Sequence, residues 1–280
     1  MSEADAGPAA NALPRKTLGP ILVFDIETVP DIAGLRRSRE LPRQLSDDDV
    51  LDVSVQQQRA RNGSEFLPIH LQKIVAIACA LREGQSFRIW SLGEPGDGEP
   101  ELIRRFFDGI ERYTPQLVSW NGSGFDLSVL HHRAMIHAVA APRYWDSGDD
   151  DREFRYNNYL NRYHTRHLDL MEVLACYSSR SFASLDAMAR LCGFPGKLGM
   201  NGGDVLAAIQ RGRIDDVRNY CETDVLNTYL LYLRFQLMRG TLTAGEYASE
   251  VSLAREKISS NGAPHWREFI AAWDANAAVE

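Results

Sequence analysis

Two carboxylates set two residues apart give this chain its first chemically informative feature. In Phe24-Asp25-Ile26-Glu27-Thr28 the preceding apolar run, Ile21-Leu22-Val23-Phe24, reads as a buried strand reaching to about Glu27. Alternate residues of a strand share a face, so Asp25 and Glu27 project together. Two like charges side by side on a buried strand are costly unless something cationic lies between them. A divalent metal answers that need; the other reading is that the strand ends here and both carboxylates are solvated. A third carboxylate follows in Asn121-Gly122-Ser123-Gly124-Phe125-Asp126. A strand stops at Asn121, the glycines permit a tight turn, and Asp126 falls in the first turn of a helix, where the dipole favours negative charge. Read alone, it is a dipole-matched surface residue. The last feature is Tyr220-Cys221-Glu222-Thr223-Asp224. Ile214, Val217, Cys221, Val225, Thr228 and Leu231 mark one apolar helical stripe, and Asp224 lies beside it. Tyr220, one turn earlier, either aims its hydroxyl at whatever Asp224 holds or makes a buried Tyr–Asp hydrogen bond.

The elements that must position these groups are legible in outline. Lys73 to Leu81 and Phe87 to Trp90 read as strands joined around Glu83-Gly84-Gln85, a hairpin signal. Leu102, Ile103, Phe106, Phe107 and Ile110 share a face of a helix over 101–113. Leu117 to Trp120 is a short strand, 125–139 a helix, and 168–174 a strand passing into a helix. Ser184 caps a further helix to Cys192, and the longest helical pattern, Ile214 to Met238, is closed by Gly240. The order is α/β and layered, with antiparallel strands on one side, and lacks the regular alternation of a barrel. Residues 1–20 read as a flexible leader. Residues 31–70 are a polar excursion holding one or two short helices, and 241–280 form a C-terminal extension of two amphipathic helices.

Lys and Arg number 31 against 38 Asp and Glu, a formal net charge of −7, so no protein-wide basic field attracts a polyanion. Cations in an acidic site or a local basic strip can reverse the field near a phosphate. The longest apolar stretch, Ile74 to Leu81, is too short to cross a bilayer. The start of the chain carries Glu3 and Asp5 and no apolar signal region. Four cysteines, Cys79, Cys176, Cys192 and Cys221, are scattered without a CxxC pair, which argues against a zinc site or a disulfide scaffold. The expected setting is reduced and cytoplasmic.

Taken together, the carboxylates resemble the DEDD 3′–5′ exonucleases of the ribonuclease H-like superfamily. The D-x-E motif matches Asp25 and Glu27, N-x-x-x-F-D matches Asn121, Phe125 and Asp126, and Y-x-x-x-D matches Tyr220 and Asp224. Asn219 stands at the position of the His subclass, which favours the Tyr form. More narrowly, the chain resembles a bacterial group of predicted exonucleases related to the proofreading domain of family-B DNA polymerases, a likeness extended by His167-Leu168-Asp169-Leu170-Met171 and Gly196-Lys197. It covers about residues 20–238, and the exonuclease domain is placed at 21–240.

The resemblance implies a ribonuclease H-like fold: a mixed sheet flanked by helices on both faces, with a metal site at one edge. It implies two divalent cations, magnesium with manganese as a substitute. Asp25 would bridge both, Glu27 and Asp224 would complete the first site, and Asp126 would support the second through water. Tyr220, with an unperturbed pKa of about 10, would orient the attacking water. The expected reaction releases nucleoside 5′-monophosphates from the 3′ end of single-stranded nucleic acid. DNA is preferred, and RNA is the alternative because nothing reads a 2′-hydroxyl. Two rival functions compete with this one: a catalytically silent nucleic-acid-binding module of the same fold, and a ribonuclease H-like endonuclease or transposase.

Further candidates surround this set. Thr28, Asn121 and Phe125 border the motifs and are expected to touch the nucleic acid. The segment 152–167 interleaves four Arg with aromatic residues, including Arg162 and Tyr163, as a stacking platform would; the other reading is a loop packing its rings on the core. Lys197, flanked by glycine, either meets a backbone phosphate or touches nothing. Asp169 is expected to cap the helix that follows it, and His131 and His132 to lie on a helix surface.

Overall fold

A computed structural model describes residues 19–277. Most of the expected leader, residues 1–18, therefore lies outside the described residues. The strands are β1 (Ile21–Pro30), β2 (Gln72–Glu83), β3 (Ser86–Ser91), β4 (Gln116–Ser119) and β5 (His167–Asp169), in the order β3-β2-β1-β4-β5. β2 runs antiparallel to β1, while β4 and β5 run parallel to it. This mixed five-stranded order is the ribonuclease H-like fold.

The pleat of β1 explains why helices must cover both faces. Ile21 and Val23 point into one apolar cluster, and Leu22, Phe24 and Ile26 point into the other. On the second side lie α3 (Glu99–Tyr113) and α4 (Asp126–His137), contributing Phe106, Ile110 and Leu130. On the first side lies the long helix α9 (Ile214–Met238), whose Val225, Tyr229 and Leu233 are buried against the sheet. β1 runs to Pro30, three residues beyond the expected stop. Its register shifts between Glu27 and Thr28, a bulge that re-aims the strand end, and Pro30 is tolerated because it is the last residue.

Residues 31–71 form an arm with its own packing. It carries α1 (Ile32–Ser38) and α2 (Asp47–Asn62), and Leu35, Val50, Leu67 and Leu71 bury one another between them. Ser46 and Asp49 make a capping box at the start of α2, and Gly63 ends it in the left-handed region at φ 77°. The backbone N–H of Asp31 donates to Leu71 O at 2.8 Å, closing the base of the arm. A buried ionic hub ties that base to the body. Arg133 of α4 donates to Asp31 at 2.6 Å and, through two nitrogens, to Glu99 of α3 at 2.7 and 2.5 Å. Glu99 also accepts from Ile74 N at 2.7 Å, so β2 joins the same hub.

The remaining helices are α5 (Pro142–Trp145), α6 (Leu170–Leu174), α7 (Leu185–Leu191), α8 (Val205–Gln210), α10 (Ala244–Asn261) and α11 (Pro264–Ala277). The expected pair of C-terminal helices is α10 and α11. Their Ala254, Ile258, Trp266, Phe269 and Trp273 share an apolar cluster with Ile21 and Val23, so this segment covers α9 from outside. Full burial of a ring such as Phe269 contributes about 1.5–3 kcal/mol.

Candidate active site

Each motif reaches the site by a different local device. The sheet delivers the first, on its central strand β1: the expected edge is the C-terminal end of that strand, not an outer strand. Ligand atoms of Asp25, Glu27 and Cys221 all lie within 4.8 Å of one another. The second motif is held by a turn. Asn121 takes φ 68°, a left-handed conformation that Asn tolerates better than most residues. The Asn121 carbonyl accepts from Gly124 N and Phe125 N. Asp169, at the end of β5, accepts from Asn121 N at 3.0 Å and Ser123 N at 2.9 Å. It also caps α6 through Glu172 N, as expected. A Cβ at Gly124 would meet the Asn121 side-chain oxygen, so a larger residue here would make that amide turn away. The turn starts α4 with Asp126 in position to accept from Ile26 N at 3.1 Å, on the residue between Asp25 and Glu27.

The third motif stands on α9 facing β1. Asp224 is 3% exposed, and its Oδ1 is buried with no hydrogen-bond partner among the described residues. Its Oδ2 lies 2.8 Å from Lys197 Nζ, and the same ammonium donates to the Tyr220 hydroxyl. Lys197 reaches this point because its loop is clamped. Asn227 of α9 bonds both Gly196 N (3.2 Å) and Gly196 O (2.9 Å), and Asp186 of α7 accepts from Lys197 N at 2.7 Å.

The electrostatics follow from crowding. Burial raises the pKa of Asp25 well above the usual carboxylate range, and the charges of Asp126, Glu27 and Asp224 push it further. Glu27 is raised in the same way, by burial and then by Asp224. Burial lifts Asp126 to about 7 against two backbone hydrogen bonds that favour its charged form. Asp224 is raised by burial, although Lys197 opposes the shift. Burial works against the charge of Lys197, but Asp224, Asp25 and Glu27 outweigh it and hold the lysine above its ordinary value. Tyr220 is raised far above its ordinary value by burial and the three nearby carboxylates, so its hydroxyl stays protonated.

These residues fit a hard divalent cation. Two carboxylates, Asp25 and Glu27, bring oxygen donors together, the buried Asp224 Oδ1 is unpartnered among the described residues, and mutual repulsion disfavours the ionised cluster without a counter-charge. Cys221 is the unexpected member. Read from the sequence as part of the apolar stripe, its thiol donates toward Asp25 Oδ2 at 3.5 Å and Asp25 O at 3.4 Å. The signal for it was its place one residue after Tyr220.

Other expected contact residues have partners of their own. Thr28 Oγ1 donates to Gln72 at 3.4 Å. Arg162 is paired with Glu172 at 2.8 Å and stacks on Tyr163 and Tyr177, so it is not an uncommitted cation. Within 152–167, Phe154 and Tyr159 pack in the core, as the second reading expects, while Tyr156 and Tyr163 are exposed. His131 is not a plain surface residue. Its ring packs against Tyr144 and Trp145, and burial lowers its pKa to about 4.

A family described as "Predicted 3'-5' exonuclease related to the exonuclease domain of PolB" matches residues 64–273. The chain belongs to this family of enzymes. The match begins after β1, so Asp25 and Glu27 lie outside it and Asn121, Asp126, Tyr220 and Asp224 lie within it. Among solved structures, the family B DNA polymerase from the hyperthermophilic archaeon Pyrobaculum calidifontis is similar at 16% identity and a TM-score of 0.46, over 88% of this chain and 29% of the polymerase chain. The chain thus spans less than a third of that polymerase. No curated protein matches it. No helix among the described residues is long and apolar enough to cross a membrane.

Proposed function

We propose that this 3′–5′ exonuclease removes nucleoside 5′-monophosphates from the 3′ end of single-stranded DNA, using two magnesium ions held by Asp25, Glu27, Asp126 and Asp224. The observation that carries the reading is the close approach of Asp25 and Glu27 ligand atoms, with the charges of Asp126 and Asp224 acting on them and Asp224 Oδ1 buried without a partner among the described residues. The bound cations would supply Lewis acidity at the phosphate and a lowered pKa for water. The protein groups supply the rest. Tyr220, kept protonated, donates from its hydroxyl and positions the water or a phosphate oxygen. Lys197 carries a fixed positive charge beside Asp224, suited to the extra charge that develops on a phosphate under attack. Asn121 and Phe125, in the turn before Asp126, are the residues this reading assigns to contact with the terminal nucleotide.

The test uses purified protein with 3′-labelled and 5′-labelled single-stranded DNA and RNA, in magnesium, manganese or chelator. Stepwise shortening from the 3′ end that needs metal and disappears in Asp224→Asn supports the proposal. Internal cleavage, or equal activity in chelator, overturns it. Faster loss of RNA than of DNA overturns the substrate assignment alone.

A further inference from the structure

A cavity of about 350 Å³ in the 31–71 arm gathers cationic and neutral polar groups with no acid among them. Arg39, Arg61 and His70 line it, together with the amides of Gln57 and Gln58 and the hydroxyl of Ser38. Other arginines of this acid-rich arm are committed: Arg36 pairs with Asp47, and Arg59 with Glu65. Arg39 and Arg61 have no carboxylate partner among the described residues. Two guanidinium groups lining one hollow repel each other unless an anion lies between them. The planar fork of each suits the oxygens of a phosphate.

Local bonds shape the hollow. Arg39 Nη1 donates to Ser54 O at 3.2 Å and to Gln57 Oε1 at 2.6 Å, which fixes the end of α1 against α2. Those bonds use one nitrogen, and the rest of the fork has no acceptor among the described residues. The position of the hollow ties it to the carboxylates. Leu71, in its wall, precedes Gln72, whose partner across the sheet is Pro30 of β1. Pro30 follows Glu27 by roughly 10 Å, at about 3.3 Å per strand residue. His70 sets its ring edge-on to His132 of α4, with centroids 6.1 Å apart. Phe66 of the same arm leans on Phe125, the residue before Asp126, at 5.9 Å. The hollow therefore lies past the strand end that carries the site, beside the helix that Asp126 starts.

We propose that this hollow binds a backbone phosphate of the substrate strand, on the 5′ side of the nucleotide being removed, through Arg39 and Arg61. The inference rests on the exonuclease reading above for the identity of the polyanion. The protein carries a net charge of −7, so its overall field repels a strand. A local pair of unbalanced cations supplies the attraction which that field lacks. Phosphate contacts carry no base identity, so the grip is independent of sequence and depends on length. A strand too short to reach the hollow while its 3′ end lies at the carboxylates gains nothing from it. Ser38, Arg39, Gln57, Gln58 and Arg61 all precede the matched residues 64–273, so the contact comes from a part of the chain outside the family match.

The experiment titrates the full chain with a fluorescent thymidine trinucleotide and with a long oligothymidylate, in calcium instead of magnesium, over a range of salt. Arg61→Gln is the cleaner variant, because Arg61 is exposed and has no partner to lose. Arg39→Gln is set beside Arg39→Lys, which keeps the charge. Each Gln variant weakens long-strand binding about tenfold, the scale of one charge-assisted hydrogen bond. The double Gln variant lowers the slope of log K on log salt by about 0.7, the value for one phosphate of a single strand. Arg39→Lys keeps the wild-type slope. Trinucleotide binding is the same in every variant, and so is kcat on the long strand in magnesium. Wild-type affinity and slope in the double Gln variant overturn the proposal. An equal loss on the trinucleotide also overturns it, because the hollow would then hold the terminal nucleotide. If thymidine 5′-monophosphate erases the difference between wild type and Arg61→Gln, the hollow takes free nucleotide, and the strand assignment is wrong. If the wild type shows the arginine-dependent slope but releases no nucleotide with any metal, the phosphate site stands and the exonuclease reading fails instead.

Discussion

Lys197 holds its Nζ 2.8 Å from Asp224 Oδ2 and donates to the hydroxyl of Tyr220, so one ammonium joins two residues of the third motif. The pair is mostly buried on the aspartate side and half-buried on the lysine side. An ammonium in that position partly balances a cluster that is otherwise all carboxylate. Replacing it by the apolar Lys197→Met should lower the exonuclease rate at saturating magnesium by roughly 10²–10³-fold, the usual cost of one charge-stabilising donor. Tyr220→Phe removes one neutral hydroxyl and should cost only about tenfold. Single-turnover rates, with circular dichroism to confirm folding, decide both. Wild-type rates in Lys197→Met would exclude the lysine from the reaction.

The raised carboxylates couple stability to pH with a definite sign. Their unfolded values lie near 3.9–4.3, and in the folded protein all four are higher, Asp126 at about 7. Stability from these groups is complete below their unfolded values and is lost as pH rises through the folded ones. His131 and His167 act oppositely. Burial lowers both to about 4, so their contribution is present above about 6.5 and is lost on acidification. The metal-free protein should therefore be most stable in weak acid and soften toward pH 8. Added manganese should raise the melting temperature more at pH 8 than at pH 5.5, because the ionised cluster is its ligand. Melting curves in chelator and in manganese at the two pH values measure this, and equal metal shifts would contradict it.

Much of the site was readable because its chemistry is local in sequence. Asp25 and Glu27 share a strand face, and Tyr220 and Asp224 stand one helical turn apart, but each pair alone leaves a bland reading open; the order of the three motifs and their resemblance to the DEDD exonucleases single them out. Lys197 was left between a phosphate contact and no contact, because its position depends on Asn227 and Asp186, residues far along the chain that clamp its loop. Cys221 was hidden for a different reason: a thiol in an apolar stripe packs as a small hydrophobe until the opposite strand shows what it faces. The arm was the least legible. Its charged residues mask four buried side chains, Leu35, Val50, Leu67 and Leu71, spaced too irregularly to reveal a shared core. Nothing in its sequence places Phe66 beside Phe125.

Arg133 holds that arm in place. The residue is 2% exposed, and its guanidinium satisfies both Asp31 and Glu99. Arg133→Met leaves two carboxylates without their cation, one of them almost wholly buried. Breaking a buried pair from one side costs about 3–5 kcal/mol, and a loss of that size should appear as a lower urea midpoint. The arm should also become the first site of proteolysis, with cuts falling within 31–71. A protease pattern unchanged from wild type would mean that the arm is held by its apolar core alone.

Asp169 organises the second motif through backbone hydrogen bonds. It accepts from Asn121 N, Ser123 N and Glu172 N, and so fixes the turn that sets the start of α4 and hence Asp126. Hydrogen bonds to a charged acceptor contribute about 1.5–3 kcal/mol each. Asp169→Ala strands two backbone donors in a part-buried turn and should lower stability by about 2–3 kcal/mol. Asp169→Asn keeps one acceptor and should lose less than half of that. Because the left-handed Asn121 depends on this clamp, both variants should also lose rate, with the magnesium concentration for half-maximal activity rising as Asp126 moves from Ile26. Urea melts and magnesium titrations of the two variants separate the effects. If Asp169→Ala loses stability but keeps the wild-type magnesium dependence, the turn does not position Asp126.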